Sequence, residues 1–325
     1  MISVLLPARD PDPRLFRRAL RSTLRSRGVE VDVVVVDHAS LVPIAVNDVR
    51  VRVLRVESTS TFAAALELGR AACRGPFCAR MDSDDVMHPL RLAEQVAFLQ
   101  EHDVAAVAAR VKVLPKSTTL MHGYVGWQNG ILSPFDHQKE MWIEQPLCNP
   151  STMFRSAAVD AVGGYRVVGW PEDYDLFLRL MTAGFKIEKM PVVRHGWRQH
   201  RGQVTRTKPW QTRDAIAACK AWHLTRTFEL HRRDVWILGS GKEGRRISRS
   251  LKAEGVVVAA FVDVDPQKIG KTVHGAPVVA AAAFSRAGLN TFAIGAVGTS
   301  GARGLVRALL LERCYVEGVD AVVIA

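Results

Sequence analysis

Four stretches of this 325-residue chain carry residue types and spacings that could do chemistry. The most concentrated is Arg80-Met81-Asp82-Ser83-Asp84-Asp85. Its three carboxylates repel one another, and a divalent cation would remove that cost, with hard oxygen ligands suiting Mg²⁺ or Mn²⁺. In an extended segment Asp82 and Asp84 lie on the same side and can share one ion, which can also bridge a diphosphate as it departs. The bland alternative is a solvated acidic turn. The cluster follows an apolar segment, however, and so belongs at the carboxyl edge of a sheet, where open α/β sheets bind ligands.

The second stretch, Trp170-Pro171-Glu172-Asp173-Tyr174-Asp175, precedes an amphipathic run at 176–181. Its carboxylates either complement a helix dipole or supply a general base for a hydroxyl. In the third, residues 197–205, Arg198 and Arg201 can neutralise phosphates, and His200 is either structural or a metal ligand. The fourth is Gly239-Ser240-Gly241-Lys242-Glu243-Gly244, with Asp263 nineteen residues beyond Gly244. Glycines there would permit a tight turn and close approach of a pyrophosphate at a helix N-terminus, and Asp263 could bind a ribose hydroxyl. A purely structural use of the same turn is the alternative.

The elements that must position these groups alternate. Residues 2–6, 31–36, 51–56 and 77–81 read as strands, and 13–27, 61–73 and 89–100 as helices. Strands alternating with helices predict a mostly parallel sheet covered on both faces. From 194 to 233 ten basic residues face only Asp214 and Glu229, with Trp197, Trp210 and Trp222 between them. Residues 209–230 are expected to form a basic amphipathic helix, either a connector with a solvated face or a contact for an anionic membrane surface. A fresh strand at 235–238 opens a compact unit running to residue 325. The expected domains are therefore 1–207, a linker helix 208–232, and a small Rossmann-like α/β domain 233–325.

Composition excludes several classes. With 48% hydrophobic and 23% charged residues the chain is neither disordered, collagen-like nor a disulfide scaffold. No run approaches the roughly 20 apolar residues that cross a bilayer, and no secretory signal pattern is expected at the start. Five cysteines without a CxxC pair argue against a zinc or disulfide framework and point to a reducing, cytoplasmic setting. The formal charge of +12 implies an anionic partner: nucleic acid, a membrane face or phosphorylated small molecules.

Taken in order, the first three features resemble the inverting family 2 glycosyltransferases of GT-A fold, over roughly residues 1–207. The resemblance rests on Val4-Leu5-Leu6-Pro7, Val34-Val35-Val36-Asp37, Ala79–Asp85, Pro89-Leu90-Arg91-Leu92 with Gln95, and Phe98-Leu99. It continues through Pro150-Ser151-Thr152-Met153-Phe154-Arg155, Val162-Gly163-Gly164-Tyr165-Arg166, Glu172-Asp173-Tyr174-Asp175-Leu176 and Arg198-Gln199-His200. It implies a metal-dependent enzyme (Mn²⁺ or Mg²⁺) moving a sugar from a nucleotide-diphosphate donor to a glycan or lipid-linked acceptor hydroxyl, in polysaccharide or glycoconjugate synthesis. The donor would sit near Pro7, Arg9, Asp37, Arg80, Asp82 and Arg198. Asp82, Asp84 and His200 would hold the metal, and Asp173, beside Glu172, would be the base. Two departures are visible: Asp37 is followed by His38-Ala39 where a second acid and a glycine are usual, and Glu67 stands where an asparagine is common. Gly239–Gly244, Phe261-Val262-Asp263-Val264-Asp265 and Lys268-Ile269-Gly270 together are similar to small nucleotide-binding domains attached to some sugar-modifying enzymes, with Gly239, Gly241, Gly244 and Asp263 as candidate ligand contacts.

Three other readings stay open. A sugar-phosphate nucleotidyltransferase should carry a glycine-rich loop after the first strand, and Ala8-Arg9-Asp10-Pro11-Asp12-Pro13 lacks one. A non-catalytic nucleotide-sugar or NAD-binding regulator would tolerate loss of Asp82, Asp84 and Asp173. Nucleic-acid binding through the basic segment lacks a recognisable recognition module, so no nucleic-acid partner is expected; steep salt-dependent binding to DNA would revive it. The expected location is cytoplasmic, with peripheral contact at the inner face of the membrane and homo-oligomerisation left open.

Overall fold

The computed structural model describes residues 1–115, 119–200, 209–286, 290–299 and 301–325. Arg201 and the rest of the third stretch beyond His200 lie outside the described residues. The chain divides into two compact units, one of residues 1–137, 146–168 and 172–206, the other of 138–145, 169–171 and 207–325.

The first unit opens with β1 (Ile2–Ala8), α1 (Pro13–Leu24), β2 (Val31–His38), β3 (Val51–Val56), α2 (Phe62–Ala71) and β4 (Phe77–Arg80). Then follow β5 (Val86–Met87), α3 (Arg91–Glu101), β6 (Ala106–Leu114), α4 (Thr119–Gly130), α5 (Pro134–Glu140), β7 (Thr152–Arg155), α6 (Ser156–Ala161), α7 (Glu172–Thr182) and β8 (Ile187–Arg198). The eight strands form one sheet in the order β3-β2-β1-β4-β7-β6-β8-β5. The half from β3 to β4 is parallel, as the alternation predicts, and β7 inserts antiparallel between β4 and β6. β1 and β2 are buried along their whole length, which is why they read as continuous apolar runs.

α1 shows how local sequence builds this half. Asp12 Oδ1 accepts from the amides of Arg14 and Leu15 at 2.8 and 2.9 Å, and Pro13 occupies the first turn, where no amide is required. Phe16, Ala19, Leu20 and Thr23, one stripe at helical spacing, are buried.

The second unit contains α8 (Arg213–Thr227), β9 (Asp234–Leu238), α9 (Lys242–Ala253), β10 (Val258–Asp263), β11 (Thr272–Val273), β12 (Ala276–Ala280), β13 (Thr291–Gly295), α10 (Ala302–Glu312) and β14 (Ala321–Val323). Its sheet runs β11-β12-β10-β9-β13-β14, with every pair from β12 to β14 parallel. Strand order therefore reverses between β9 and β13, the switch point of a doubly wound sheet.

The basic residues of α8 divide: Arg213 and Arg226 keep 81% and 50% of their side chains exposed, whereas Lys220 is buried. Ala217, Cys219, Lys220, Ala221, His223, Leu224 and Thr225 are buried. Lys220 Nζ donates to the carbonyls of Ile143 and Ile324 at 2.6 and 2.9 Å, and Arg226 pairs with Glu254 at 2.8 Å while its guanidinium lies over the Trp222 ring. Among the described residues no helix is long and apolar enough to cross a membrane.

Candidate active site

β1 and β4 run side by side with Leu5 opposite Arg80, and the Met81 amide donates to the Leu5 carbonyl at 3.1 Å. The acidic turn after β4 therefore shares the sheet's carboxyl edge with Pro7 and Asp37, whose strands are in register there. Arg80 is buried beneath that turn. Its Nη1 donates to the Met81 carbonyl at 2.6 Å, and its Nη2 meets Asp82 Oδ1 at 2.8 Å. Burial opposes its charge, and Asp82, with Glu172 also contributing, more than offsets that cost.

Asp84 is the strained acid. Burial above all, then Asp85 and Asp82, raises its carboxyl to about 7, and nearby His200 only partly counters this. Asp84 Oδ2 is buried, accepts no hydrogen bond among the described residues, and lies 3.3 Å from His200 Nε2. Asp84 and His200 stand side by side and offer the oxygen and imidazole ligands that suit a divalent cation of the Mg²⁺ or Mn²⁺ kind, whereas Asp82 turns one oxygen to Arg80; among the described residues the ligand atoms of these three do not all gather within 4.8 Å of one another.

Asp85 plays a different part. It is fully buried, accepting from His195 Nε2 at 2.8 Å and from the Arg198 amide at 2.6 Å. Arg198 Nε in turn donates to the Asp84 carbonyl at 2.8 Å. These bonds hold the end of β8 against the acidic turn and so bring His200 to Asp84. Behind them stands Arg91, also buried, with Nη1 3.1 Å from His195 Nδ1 and Nη2 donating to the Arg80 carbonyl at 3.0 Å. Since Arg91 can only donate, His195 Nδ1 must accept and Nε2 carry the proton to Asp85. Gln95 completes the layer, donating to the carbonyls of Val107 and Ser151 at 2.9 Å each. Sequence reasoning missed Asp85, His195, Arg91 and Gln95 as a network. The one available signal was a polar pair at i and i+4, Arg91 and Gln95, on the buried face of α3.

Glu172 and Asp173 open α7. Glu172 is buried, and burial first, then Asp173, pushes its carboxyl up to about 8; Arg80 lowers it and Asp82 raises it. The two acidic motifs, separate in sequence, therefore share one electrostatic environment around Arg80. α7 is held in place by its third acid. Asp175 accepts from Arg166 Nη2 at 2.6 Å and from Arg179 Nε at 2.8 Å, while Arg179 Nη2 donates to the Gly164 carbonyl at 2.6 Å. Glu67 fixes the same loop from α2: it accepts from the Tyr165 amide at 2.8 Å, and a Cβ on Gly164, whose φ is +63°, would fall 2.3 Å from its carboxylate.

Arg9 is exposed just past β1. Asp37 is buried and accepts from the amides of Ser40 and Ile44 at 3.0 and 3.1 Å and from Arg55 Nη1 at 2.7 Å. Burial works upward on its carboxyl, but these bonds outweigh it and hold it below the usual range. Asp37 thus organises the loop after β2, and Ala39 in that loop adopts φ +53°, where the family pattern has glycine.

In the second unit, a Cβ on Gly244 would fall 1.8 Å from the Gly239 carbonyl oxygen, so glycine there lets α9 close on its turn, whereas Gly241 at the tip has nothing within 4 Å. Asp263 accepts from the Ser240 amide at 3.0 Å and from Lys268 Nζ at 3.3 Å. Burial raises its carboxyl, but the Ser240 and Asp265 bonds prevail and hold it at about 2.

Residues 3–163 match the family model for Glycosyl transferase family 2. The chain is 27% identical over 158 residues to the amylovoran biosynthesis glycosyltransferase AmsE of Erwinia amylovora, covering 45% of this chain and 53% of that protein. It is 28% identical over 141 residues to the putative glycosyltransferase EpsE of Bacillus subtilis, covering 42% and 48% respectively. It thus spans about half the length of these curated relatives. Among solved structures, S. aureus TarS residues 1–349 in complex with UDP-GlcNAc superpose with a TM-score of 0.53 at 13% identity, covering 77% of this chain and 71% of that one. That likeness is one of fold.

Proposed function

Since residues 3–163 belong to glycosyl transferase family 2, we propose that the protein is a metal-dependent inverting glycosyltransferase. It moves a sugar from a nucleotide-diphosphate donor to an acceptor hydroxyl in polysaccharide or glycoconjugate synthesis. The observation that carries this reading is the meeting of the acidic turn and the α7 acids at Arg80.

In this reading Pro7, Arg9 and Asp37 flank the donor's nucleoside, and Arg80 and Arg198 balance its diphosphate. Asp82, Asp84 and His200 hold Mn²⁺ or Mg²⁺, which would supply charge neutralisation to the departing nucleoside diphosphate. Asp173, half-buried at the first turn of α7, takes the proton from the acceptor hydroxyl as its oxygen attacks the anomeric carbon in one in-line displacement. Glu172 is held with its proton at neutral pH by burial and by Asp173, so it keeps a second negative charge away from the base. The acceptor is a glycan or lipid-linked glycan, met in the cytoplasm or at the inner face of the membrane. The glycine turn at 239–244 serves as an accessory nucleotide contact together with Asp263, supported by its open tip at Gly241.

The test is hydrolysis and transfer from a panel of nucleotide sugars, with and without added Mn²⁺, by the wild type and by Asp173→Asn. Turnover that ignores both metal and Asp173 would refute the reading. A thermal shift with NAD or nucleotide sugars that persists in Gly241→Ala would refute the accessory contact.

A further inference from the structure

The outer face of α1 carries charge of one sign only. Arg14, Arg17, Arg18, Arg21 and Arg25 are all exposed. At 100° per residue they fall within an arc of about 100° and extend about 16 Å along the axis. The opposite stripe, Phe16, Ala19, Leu20 and Thr23, is buried in the core. Arg17 Nε donates to its own helix at the Pro13 carbonyl, and among the described residues none of the five is in an ion pair. Other surface arginines are paired: Arg50 with Asp48, Arg194 with Glu94, Arg246 with Glu243. Arginines three and four apart repel along a helix and weaken it; Asp12 at the helix start attracts Arg14 and Arg17, but among the described residues no carboxylate pairs with any of the five.

A second feature adjoins α1. Asp10, in the turn that leads to it, donates its amide to Ser40 Oγ at 3.0 Å and accepts from the Leu41 amide at 2.7 Å. The loop tip so held leaves Leu41 and Val42 in solvent, 90% and 79% exposed.

We propose that this face docks the protein onto a bilayer bearing anionic phospholipid headgroups, with the α1 guanidiniums on phosphates and Leu41 and Val42 entering the interface. Guanidinium forks bind phosphate oxygens bidentately, which suits arginine over lysine. The exposed aliphatic pair gains nothing on a polyanion in water but is removed from water at a bilayer interface.

The experiment is co-sedimentation of the full chain with vesicles of phosphatidylcholine alone or mixed with phosphatidylglycerol, across a salt series. Binding is expected only to the mixed vesicles and is expected to fall as salt rises. Each of Arg14→Gln, Arg18→Gln and Arg21→Gln lowers the partition coefficient about fivefold. Leu41→Ser with Val42→Ser lowers it at unchanged charge. The same number of neutralisations at Arg213, Arg232 and Arg249 leaves it unchanged, and donor hydrolysis in solution is unchanged in every one of these variants. Equal loss from both arginine sets, binding to neutral vesicles, or duplex DNA binding through α1 without vesicle binding would each overturn the proposal.

Discussion

Asp85 and His195, 110 residues apart in sequence, meet at 2.8 Å with both side chains out of solvent. Burial and then Arg91 drive the His195 ring well below its usual titration range, so the pair is a carboxyl group bonded to a neutral imidazole. The bond ties the edge pair β5–β8 to the turn that carries Asp82 and Asp84.

Breaking this pair from one side should cost more than removing both. His195→Phe leaves Asp85 buried with one partner gone, and we expect a loss of about 1–3 kcal/mol, the cost of an unsatisfied buried polar group. Adding Asp85→Leu should restore part of it, although the Arg198 amide then lacks its acceptor. Urea unfolding of the two single variants and the double variant measures the coupling, and strict additivity would contradict it.

Asp84 should trade stability for activity. Its folded carboxyl stands at about 7 against an ordinary 3.8. Its contribution to stability is therefore complete below the ordinary value and lost as pH climbs from there to about 7. Asp84→Asn should raise stability at pH 8 by about 2 kcal/mol in metal-free buffer, abolish stabilisation by added Mn²⁺, and nearly abolish transfer. Melting temperatures with and without Mn²⁺, beside activity, give all three readings. A destabilised Asp84→Asn protein would show that the repulsion is not there.

Asp173→Asn should lower transfer between about a hundredfold and ten-thousandfold, the range for loss of a general base, without moving the melting temperature more than a degree or two. Steady-state kinetics and a melting curve on one preparation suffice.

Lys189 should make stability rise with pH. Its amine is buried, donates to the carbonyls of Gln128 and Pro146, and burial pushes it down to about 7 from 10.5. Between those values the unfolded chain binds a proton that the folded one does not, so stability increases by up to about 1.4 kcal/mol per pH unit. Lys189→Met should flatten the profile of unfolding free energy between pH 7 and 10. An unchanged slope would place the proton on the folded amine.

The glycine turn should show which of its glycines packing requires. Gly244→Ala drives a methyl into the Gly239 carbonyl and should cost about 3 kcal/mol, whereas Gly241→Ala should stay within about 0.5 kcal/mol. Similar losses at both sites would contradict the close approach of α9 to its turn.

Much of the site could be read from residues alone because its chemistry is local. Asp82 and Asp84 share a turn, Glu172 and Asp173 share a helix start, and β4, which leads into the first of these clusters, is buried from Cys78 to Arg80. The parallel order of β1, β2 and β4 followed from alternation, and with it the edge on which those acids stand. Tertiary structure decided the partners. Whether a charged side chain faces a partner of opposite sign, a backbone group or another charge depends on contacts between residues 61 to 110 apart in sequence: Asp85 with His195, Glu94 with Arg194, Arg91 with the Thr152 carbonyl. Counting charges leaves the same question open. The basic residues concentrated near α8 include a buried Lys220 and a paired Arg226, while the unpaired row lies on α1, because composition records how many charges a segment carries and only packing determines which of them meet an opposite one.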